Sequence, residues 1–93
     1  MASVVFGKDF LKSAKKLPGA QQRKLADLLL TLSQNCYYPT LHTKPLSDVL
    51  TGFYSFRITR DWRVVFRFNS VDEIQPLLAG HRKDIYKIIK RKI

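Results

Sequence analysis

Apolar and polar residues alternate along two neighbouring stretches of the chain, and this alternation predicts a β-hairpin from Phe53 to Phe68. Its buried face is expected to carry seven apolar side chains, Tyr54, Phe56, Ile58, Trp62, Val64, Phe66 and Phe68. These side chains share one face only if Ile58 lies opposite Trp62, with residues 59–61 as the connection. The same register pairs Arg57 with Arg63 on the other face.

Helical periodicity dominates the chain before the hairpin. The segment from Lys8 to Leu17 and the segment from Ala20 to Asn35 each carry an apolar stripe, Phe10, Leu11, Ala14 and Leu17 in the first and Leu25, Leu28, Leu29 and Leu32 in the second. Pro18 and Gly19 separate them, which predicts two antiparallel helices joined by a tight turn. Ser3 to Phe6 is short and apolar, and predicts a strand that opens the domain.

The remaining segments complete an α+β arrangement. Two prolines and the lack of a period predict a structured loop from Tyr37 to Leu50. Glu73 to Ala79 predicts a third strand with Ile74 and Leu78 on the core face, irregular or at an edge because of Pro76. Arg82 to Ile93 predicts a short helix with four isoleucines on one side, Ile85, Ile88, Ile89 and Ile93. The order βααβββα predicts a small antiparallel sheet packed by two N-terminal helices and a short C-terminal helix.

Composition narrows the function. Seventeen Lys and Arg against seven Asp and Glu give a formal charge of +10 in 93 residues, which favours nucleic acid as the partner and predicts one domain, residues 1–93. No apolar run approaches the roughly 18 residues that span a membrane, and no signal peptide opens the chain, so we expect a cytoplasmic protein without membrane contact. The lone Cys36 and two separated histidines do not form a zinc site, and we expect neither metal nor cofactor.

The predicted arginine pair needs a physical reason. Like charges directly opposite each other in an antiparallel pair destabilise it by roughly 0.2–1 kcal/mol. An anionic ligand between Arg57 and Arg63 would remove that repulsion. The alternative is that the two side chains splay apart and only keep an exposed face soluble, and the hairpin alone leaves both interpretations open.

A second group of polar residues follows the third predicted strand. His81, Arg82 and Tyr86 lie within two helical turns of each other. Together with the arginine pair they would supply three guanidiniums for phosphate oxygens and two groups able to move protons, which suits metal-independent RNA cleavage. The alternatives are a surface or capping role for His81 and half-buried packing for Tyr86. The lysine face of the first helix is either solvated or a contact to RNA or the ribosome.

Three motifs, in this order and spacing, resemble the RelE-like toxins of the RelE/ParE toxin-antitoxin superfamily. They are Leu46 followed by Gly52 to Ile58, then Trp62 to Phe66, and then Gly80 to Tyr86, and the resemblance spans essentially the whole chain. It implies an α+β fold akin to microbial ribonucleases. It also implies a type II toxin that enters the ribosomal A site, cuts the bound mRNA and is neutralised by a cognate antitoxin.

The resemblance assigns roles to individual residues. It implies that Arg57 and Arg63 stabilise transition-state charge, that Arg82 is the basic residue after the last strand, that Tyr86 stacks on a base or assists proton transfer, and that His81 matches a histidine found in many relatives. Further RNA contacts are expected at Lys44, Ser55, Arg67, Lys83 and Lys87. Some RelE-type enzymes carry a lysine, thought to act as the base, where this chain has Ser55, so the resemblance leaves the general base unassigned.

Two other functions stay open beside the ribonuclease. ParE-like members of the same superfamily poison DNA gyrase without cutting RNA, and a basic module could bind RNA or the ribosome without catalysis. The four residues Arg57, Arg63, Arg82 and Tyr86 favour the ribonuclease. We expect an acidic antitoxin segment, disordered alone, to fold onto the sheet and basic helices in a hetero-oligomer.

Overall fold

A computed structural model describes residues 2–92 and contains three helices and five strands in this part of the chain. The elements are β1 (Ser3–Val4), α1 (Lys8–Lys15), α2 (Gly19–Gln34), β2 (Lys44–Pro45), β3 (Tyr54–Arg57), β4 (Trp62–Ser70), β5 (Glu73–His81) and α3 (Ile85–Lys92). Two short 3-10 helices, Pro39–Leu41 and Asp48–Leu50, flank β2. The expected α+β class is confirmed.

The strands form one sheet in the order β1-β5-β4-β3-β2. It is mixed and not purely antiparallel as expected, because β1 pairs with β5 in parallel while the other pairs are antiparallel. The expected loop also contains the extra strand β2, which pairs Lys44 with Ser55 and Pro45 with Tyr54. A proline is tolerated there because β2 is an edge strand.

The register predicted for the hairpin is confirmed. Arg57 lies opposite Arg63, and Ile58 and Thr59 each donate a backbone hydrogen bond to the carbonyl of Trp62. Of the seven predicted core side chains, Phe56, Ile58, Val64 and Phe66 are at most 1% exposed. The other three, Tyr54, Trp62 and Phe68, are partly buried and pack against the same core.

Helices cover both faces of the sheet. On one face, the leucine stripe of α2 and Phe10 of α1 pack on the apolar face of the hairpin. On the other face, Ile85 and Ile89 of α3 pack on Val65 and Leu78, with Leu50 of the second 3-10 helix. Sheet residues that point toward α3 therefore lie on the opposite side from the main core, and the arginine pair is among them.

The irregularity predicted at Pro76 has a larger effect than expected. The register between β4 and β5 shifts beside it, because Val65 pairs with Leu78 while Phe66 pairs with Pro76. Ile74 and Leu78 consequently belong to different cores, and their predicted common face is wrong. β5 is also not an edge strand, since β1 pairs with its first two residues.

The C-terminal helix begins later than predicted. Residues 82–84 form a turn, so α3 begins at Ile85 and not at Arg82. Ile93, the last predicted member of the isoleucine face, lies outside the described residues. Within residues 2–92, no helix is long and apolar enough to cross a membrane.

Candidate active site

Four polar side chains from three adjacent strands share the α3 side of the sheet. Lys44 of β2 lies opposite Ser55 of β3, and Arg57 lies opposite Arg63 of β4. Because Ser55 and Arg57 are two residues apart on one strand, both pairs point to the same face. With Tyr86 of α3, these residues form what we call the cationic cluster.

Tyr86 is brought to the cluster by the packing of α3. Its half-buried ring contacts the apolar core around Leu50 and Val65, while its hydroxyl oxygen accepts a long 3.5 Å hydrogen bond from Arg63 Nη1. Burial by itself acts to raise the pKa of the phenol. Hydrogen bonding by Ser55 and Arg63 and the positive charges of Arg63 and Lys44 act in the other direction and together outweigh it, so the pKa of Tyr86 is lowered from its ordinary value of 10.0.

Arg63 retains most of its capacity to bind a ligand. Its Nη2 donates to the backbone carbonyl of Arg60 at 3.4 Å, which is at the limit of hydrogen-bond length, and its buried Nε has no partner. Neither Arg63 nor Arg57 forms an ion pair with a carboxylate of residues 2–92. A phosphate bound between the two arginines would accept charge-assisted hydrogen bonds from their terminal Nη groups.

Ser55 is the one polar residue among those described that is almost fully buried, at 2% exposure. It lies under the phenol and is too deep to contact an extended nucleic acid directly. Its side chain is among the groups that lower the pKa of Tyr86. The expected RNA contact of Ser55 is thus better described as support for Tyr86.

Arg82 lies beside the cluster but is tied to the β3–β4 connection. Its backbone N–H donates to the carbonyl of Asp61 at 2.7 Å, and its Nε lies 3.2 Å from Asp61 Oδ1. That contact is an ion pair without the alignment of a hydrogen bond. Since Arg63 reaches the carbonyl of Arg60 in the same connection, both arginines are positioned at one end of the sheet.

His81 lies on the opposite face of the sheet from the cationic cluster. β5 continues through His81, which pairs with Trp62, while Arg63 pairs with Gly80. The imidazole packs edge-on against the Trp62 ring with 5.1 Å between the ring centroids, and its Nδ1 accepts a hydrogen bond from the backbone of Lys83. The structure therefore does not bring His81 to Arg63 and Tyr86.

Solved structures similar to this chain include toxins of toxin-antitoxin systems. The chain matches the RelBE2 complex of Mycobacterium tuberculosis with a TM-score of 0.72 and 24% identity, covering 87% of this chain and 98% of that one. It matches the archaeal RelE–RelB complex of Pyrococcus horikoshii with a TM-score of 0.71 and 24% identity over 87% and 94% of the two chains. YafQ from Escherichia coli gives a TM-score of 0.73 and 18% identity over 92% and 99%. This chain has the RelE-like toxin fold.

Sequence comparison identifies no relative, since no protein-family model and no curated protein matches the chain. The fold expected from the three motifs is confirmed, apart from the mixed sheet and the added β2 described above. Within the RelE-like fold, the roles of individual residues rest on the geometry of this chain.

The other expected RNA contacts are dispersed over the RelE-like fold. Arg67 points to the same face as Arg63 but lies four residues further along β4, with buried Val65 between them. It hydrogen-bonds Asn69 and Gln75. Lys83 and Lys87 are exposed at the start of α3. Of the five expected contacts, Lys44 and Ser55 belong to the cationic cluster and the other three do not.

Sequence reasoning expected Ser55 as an RNA contact and not as a support for Tyr86, and it did not predict the role of Asp61. The alternation that places Arg57 on one face also places Ser55 there, so the pattern could have predicted that Ser55 lies near Tyr86. Asp61, the partner of Arg82, gave a weaker signal, because an acidic residue is common in any hairpin connection.

Proposed function

We propose that the protein is the toxin of a type II toxin-antitoxin pair and a metal-independent endoribonuclease that cleaves mRNA in the ribosomal A site. The observation that carries the proposal is the cationic cluster. Two arginines that form no ion pair with a carboxylate of residues 2–92 lie opposite each other beside a tyrosine whose pKa is lowered. The RelE-like fold, found in solved toxins of toxin-antitoxin complexes, supports the same conclusion.

The arginine pair suits the charge that develops during cleavage. When the 2′-oxygen of a ribose attacks the adjacent phosphorus, the nonbridging oxygens gain negative charge. Arg57 and Arg63 already stand at opposed positions and repel each other, so an anion between them gains two favourable interactions and relieves one unfavourable interaction. Preorganised groups of this kind supply much of the rate enhancement of many enzymes.

Tyr86 takes the role of the general base in this scheme. Its phenolate accepts the proton of the 2′-hydroxyl, the 2′-oxygen bonds to phosphorus, and the bond from phosphorus to the 5′-oxygen breaks. The products are a 2′,3′-cyclic phosphate and a 5′-hydroxyl whose proton comes from water. Interactions with Ser55, Arg63 and Lys44 lower the pKa of Tyr86 and so raise the fraction of phenolate near neutral pH.

The partner proposed for this toxin is an acidic antitoxin in the cytoplasm. A formal charge of +10 on 93 residues gives a strong attraction for an acidic, disordered segment that folds as it binds. Such a segment would compete with RNA for the cationic cluster, and the two chains would form a hetero-oligomer. Antitoxin affinity should then fall with salt concentration, and salt-independent affinity would contradict charge neutralisation.

Primer extension on cellular mRNA after induced expression tests the activity. The wild-type protein should produce cuts within translated regions, and the purified protein should reproduce them only when ribosomes are present. The Arg63→Gln variant should leave mRNA intact at equal expression. Intact mRNA with the wild type would contradict the ribonuclease: inhibited gyrase supercoiling would then support the ParE-like alternative, and stalled translation alone would support non-catalytic ribosome binding.

A further inference from the structure

A groove of about 540 Å³ lies between α1, the end of β5 and α3, outside the cationic cluster. Its lining includes apolar, aromatic and basic side chains, among them Lys12, Lys16, Leu17, Trp62, His81 and Ile88. Neither the fold nor the proposed cleavage step uses it. Its volume is within the range of small-molecule binding sites, roughly 300–1,000 Å³.

The groove combines an apolar floor with a basic rim. Leu17 and Ala79 are buried beneath it, and the edge-on contact between Trp62 and His81 leaves aromatic surface in its wall. Lys12 in α1 and Lys16, directly after the end of α1, are both exposed.

The carboxylates of the groove do not cancel this rim. Asp9 is paired with Lys92 at 3.1 Å, which leaves Asp84 as the one carboxylate of the described lining without a side-chain ion pair. The two positive charges of Lys12 and Lys16 exceed the single negative charge of Asp84. Aromatic surface beside a net positive rim is the combination that binds single-stranded nucleic acid.

A basic path connects the groove with the cationic cluster around the end of the sheet. Trp62 and Arg63 are consecutive residues on opposite faces, so the two sites begin one residue apart. The β3–β4 connection and the turn after β5 meet at this end, where Arg82 hydrogen-bonds Asp61. The neighbouring side chains Arg60 and Lys83 are exposed, and so a chain of phosphates could follow basic groups from one face to the other.

We infer that the groove is a second subsite for the RNA strand that occupies the cationic cluster. One base near the scissile phosphate stacks on the Trp62 and His81 surface, and its flanking phosphates bind Lys12 and Lys16. The inference rests on the proposed function for the identity of the ligand. An acidic protein segment is the less favoured occupant, because Trp62 in the groove is next to Arg63 of the cationic cluster in the chain and offers aromatic surface to a base.

Trp62 is the only tryptophan of the chain, so its fluorescence reports on the groove directly. The probes are 2′-O-methyl oligonucleotides of two and of ten nucleotides, which cannot be cleaved because the 2′-oxygen carries no proton. The ten-nucleotide probe should change the Trp62 emission, whereas the dinucleotide should bind the cationic cluster without that change. An unchanged emission with bound ten-nucleotide RNA would overturn the inference.

Paired variants distinguish groove lysines from general charge. Lys12→Gln with Lys16→Gln should weaken binding of the ten-nucleotide probe and reduce the slope of log affinity against log salt by about 1.4, since each phosphate contact to a single strand contributes about 0.7. Lys15→Gln with Lys24→Gln removes the same charge at exposed positions outside the groove and should leave the Trp62 response unchanged. Equal losses in both variants would contradict a defined subsite.

The test of the RNA subsite in the groove does not depend on whether the protein cleaves RNA. If the wild type binds the long probe through the groove but leaves ribosomal mRNA intact, the subsite stands and the ribonuclease proposal fails. If mRNA is cut normally by the Lys12→Gln and Lys16→Gln variant and Trp62 does not respond to RNA, the subsite fails alone. A Trp62 response to a poly-glutamate peptide but not to RNA would also overturn it, in favour of an acidic protein partner.

Discussion

Replacing Arg63 with glutamine should stabilise the protein while it removes activity. Arg57 and Arg63 are direct cross-strand partners, and neither forms an ion pair within residues 2–92. Removing one charge should therefore raise the free energy of unfolding by about 0.2–1 kcal/mol. The hydrogen bonds lost with the guanidinium, at 3.5 and 3.4 Å, are too long to offset this gain.

The same substitution should reduce the cleavage rate by about 10²–10³, which is the usual loss when one group that stabilises transition-state charge is removed. That loss corresponds to about 2.7–4 kcal/mol in the activation free energy. Arg63 would thus be a residue whose charge destabilises the fold and accelerates the reaction.

Urea unfolding at two salt concentrations tests the stability half of this prediction. The gain in the free energy of unfolding of Arg63→Gln should be clear at 0.01 M salt, where the screening length is about 30 Å. The gain should shrink at 1 M salt, where the screening length is about 3 Å. With a urea m value of about 1–3 kcal/mol/M, a gain of about 1 kcal/mol moves the midpoint by roughly 0.3–1 M.

Arg67→Gln is the matched control. Arg67 points to the same face of the same strand, but it pairs with Gln75 and so has no like charge opposite. It should show no gain at low salt. The reasoning is refuted if Arg63→Gln is less stable than the wild type at 0.01 M salt, or if Arg67→Gln gains as much.

Three further predictions concern Tyr86, the core and one turn. Tyr86→Phe should slow single-turnover cleavage by about 10²–10⁴. Wild-type cleavage should become about tenfold faster per pH unit up to the lowered pKa of Tyr86, and Ser55→Ala should displace this rise to higher pH. The same rise in Tyr86→Phe would show that another group is the base. Phe66→Ala, at a fully buried position, should lower the free energy of unfolding by about 3–5 kcal/mol in urea, and a loss below 1 kcal/mol would contradict the packing described. Gly52→Ala should be less stable than the wild type although its side chain has free space, because φ is +96° there, and an unchanged urea midpoint would contradict that strain.

The sequence predicted the elements whose registers are fixed by long apolar patterns. Alternation over the hairpin allowed only one pairing of the two strands, so the position of Arg57 opposite Arg63 followed from the burial of Phe56 and Val64. The leucine stripe predicted equally well which face of α2 packs on the core, since three of its four leucines are buried.

Where the pattern was short or irregular, sequence reasoning failed. β2 has two residues, one of them proline, and exists through pairing with β3, which no local signal reveals. His81 was grouped with Arg82 because the two are adjacent, on the assumption that the strand ended at Ala79. Since β5 runs through His81, strand alternation sends its side chain to the other face.

The most direct test of the cationic cluster is cleavage of ribosome-bound mRNA by the purified protein, with a matched mRNA that carries a single 2′-deoxyribose at the mapped cut position. We predict cleavage of the ribose substrate to a 2′,3′-cyclic phosphate and a 5′-hydroxyl, no cleavage at the deoxyribose, and a loss of about 10²–10³ in Arg63→Gln. Cleavage of the deoxyribose substrate at the same position, or equal rates for Arg63→Gln and the wild type, would contradict the proposed site.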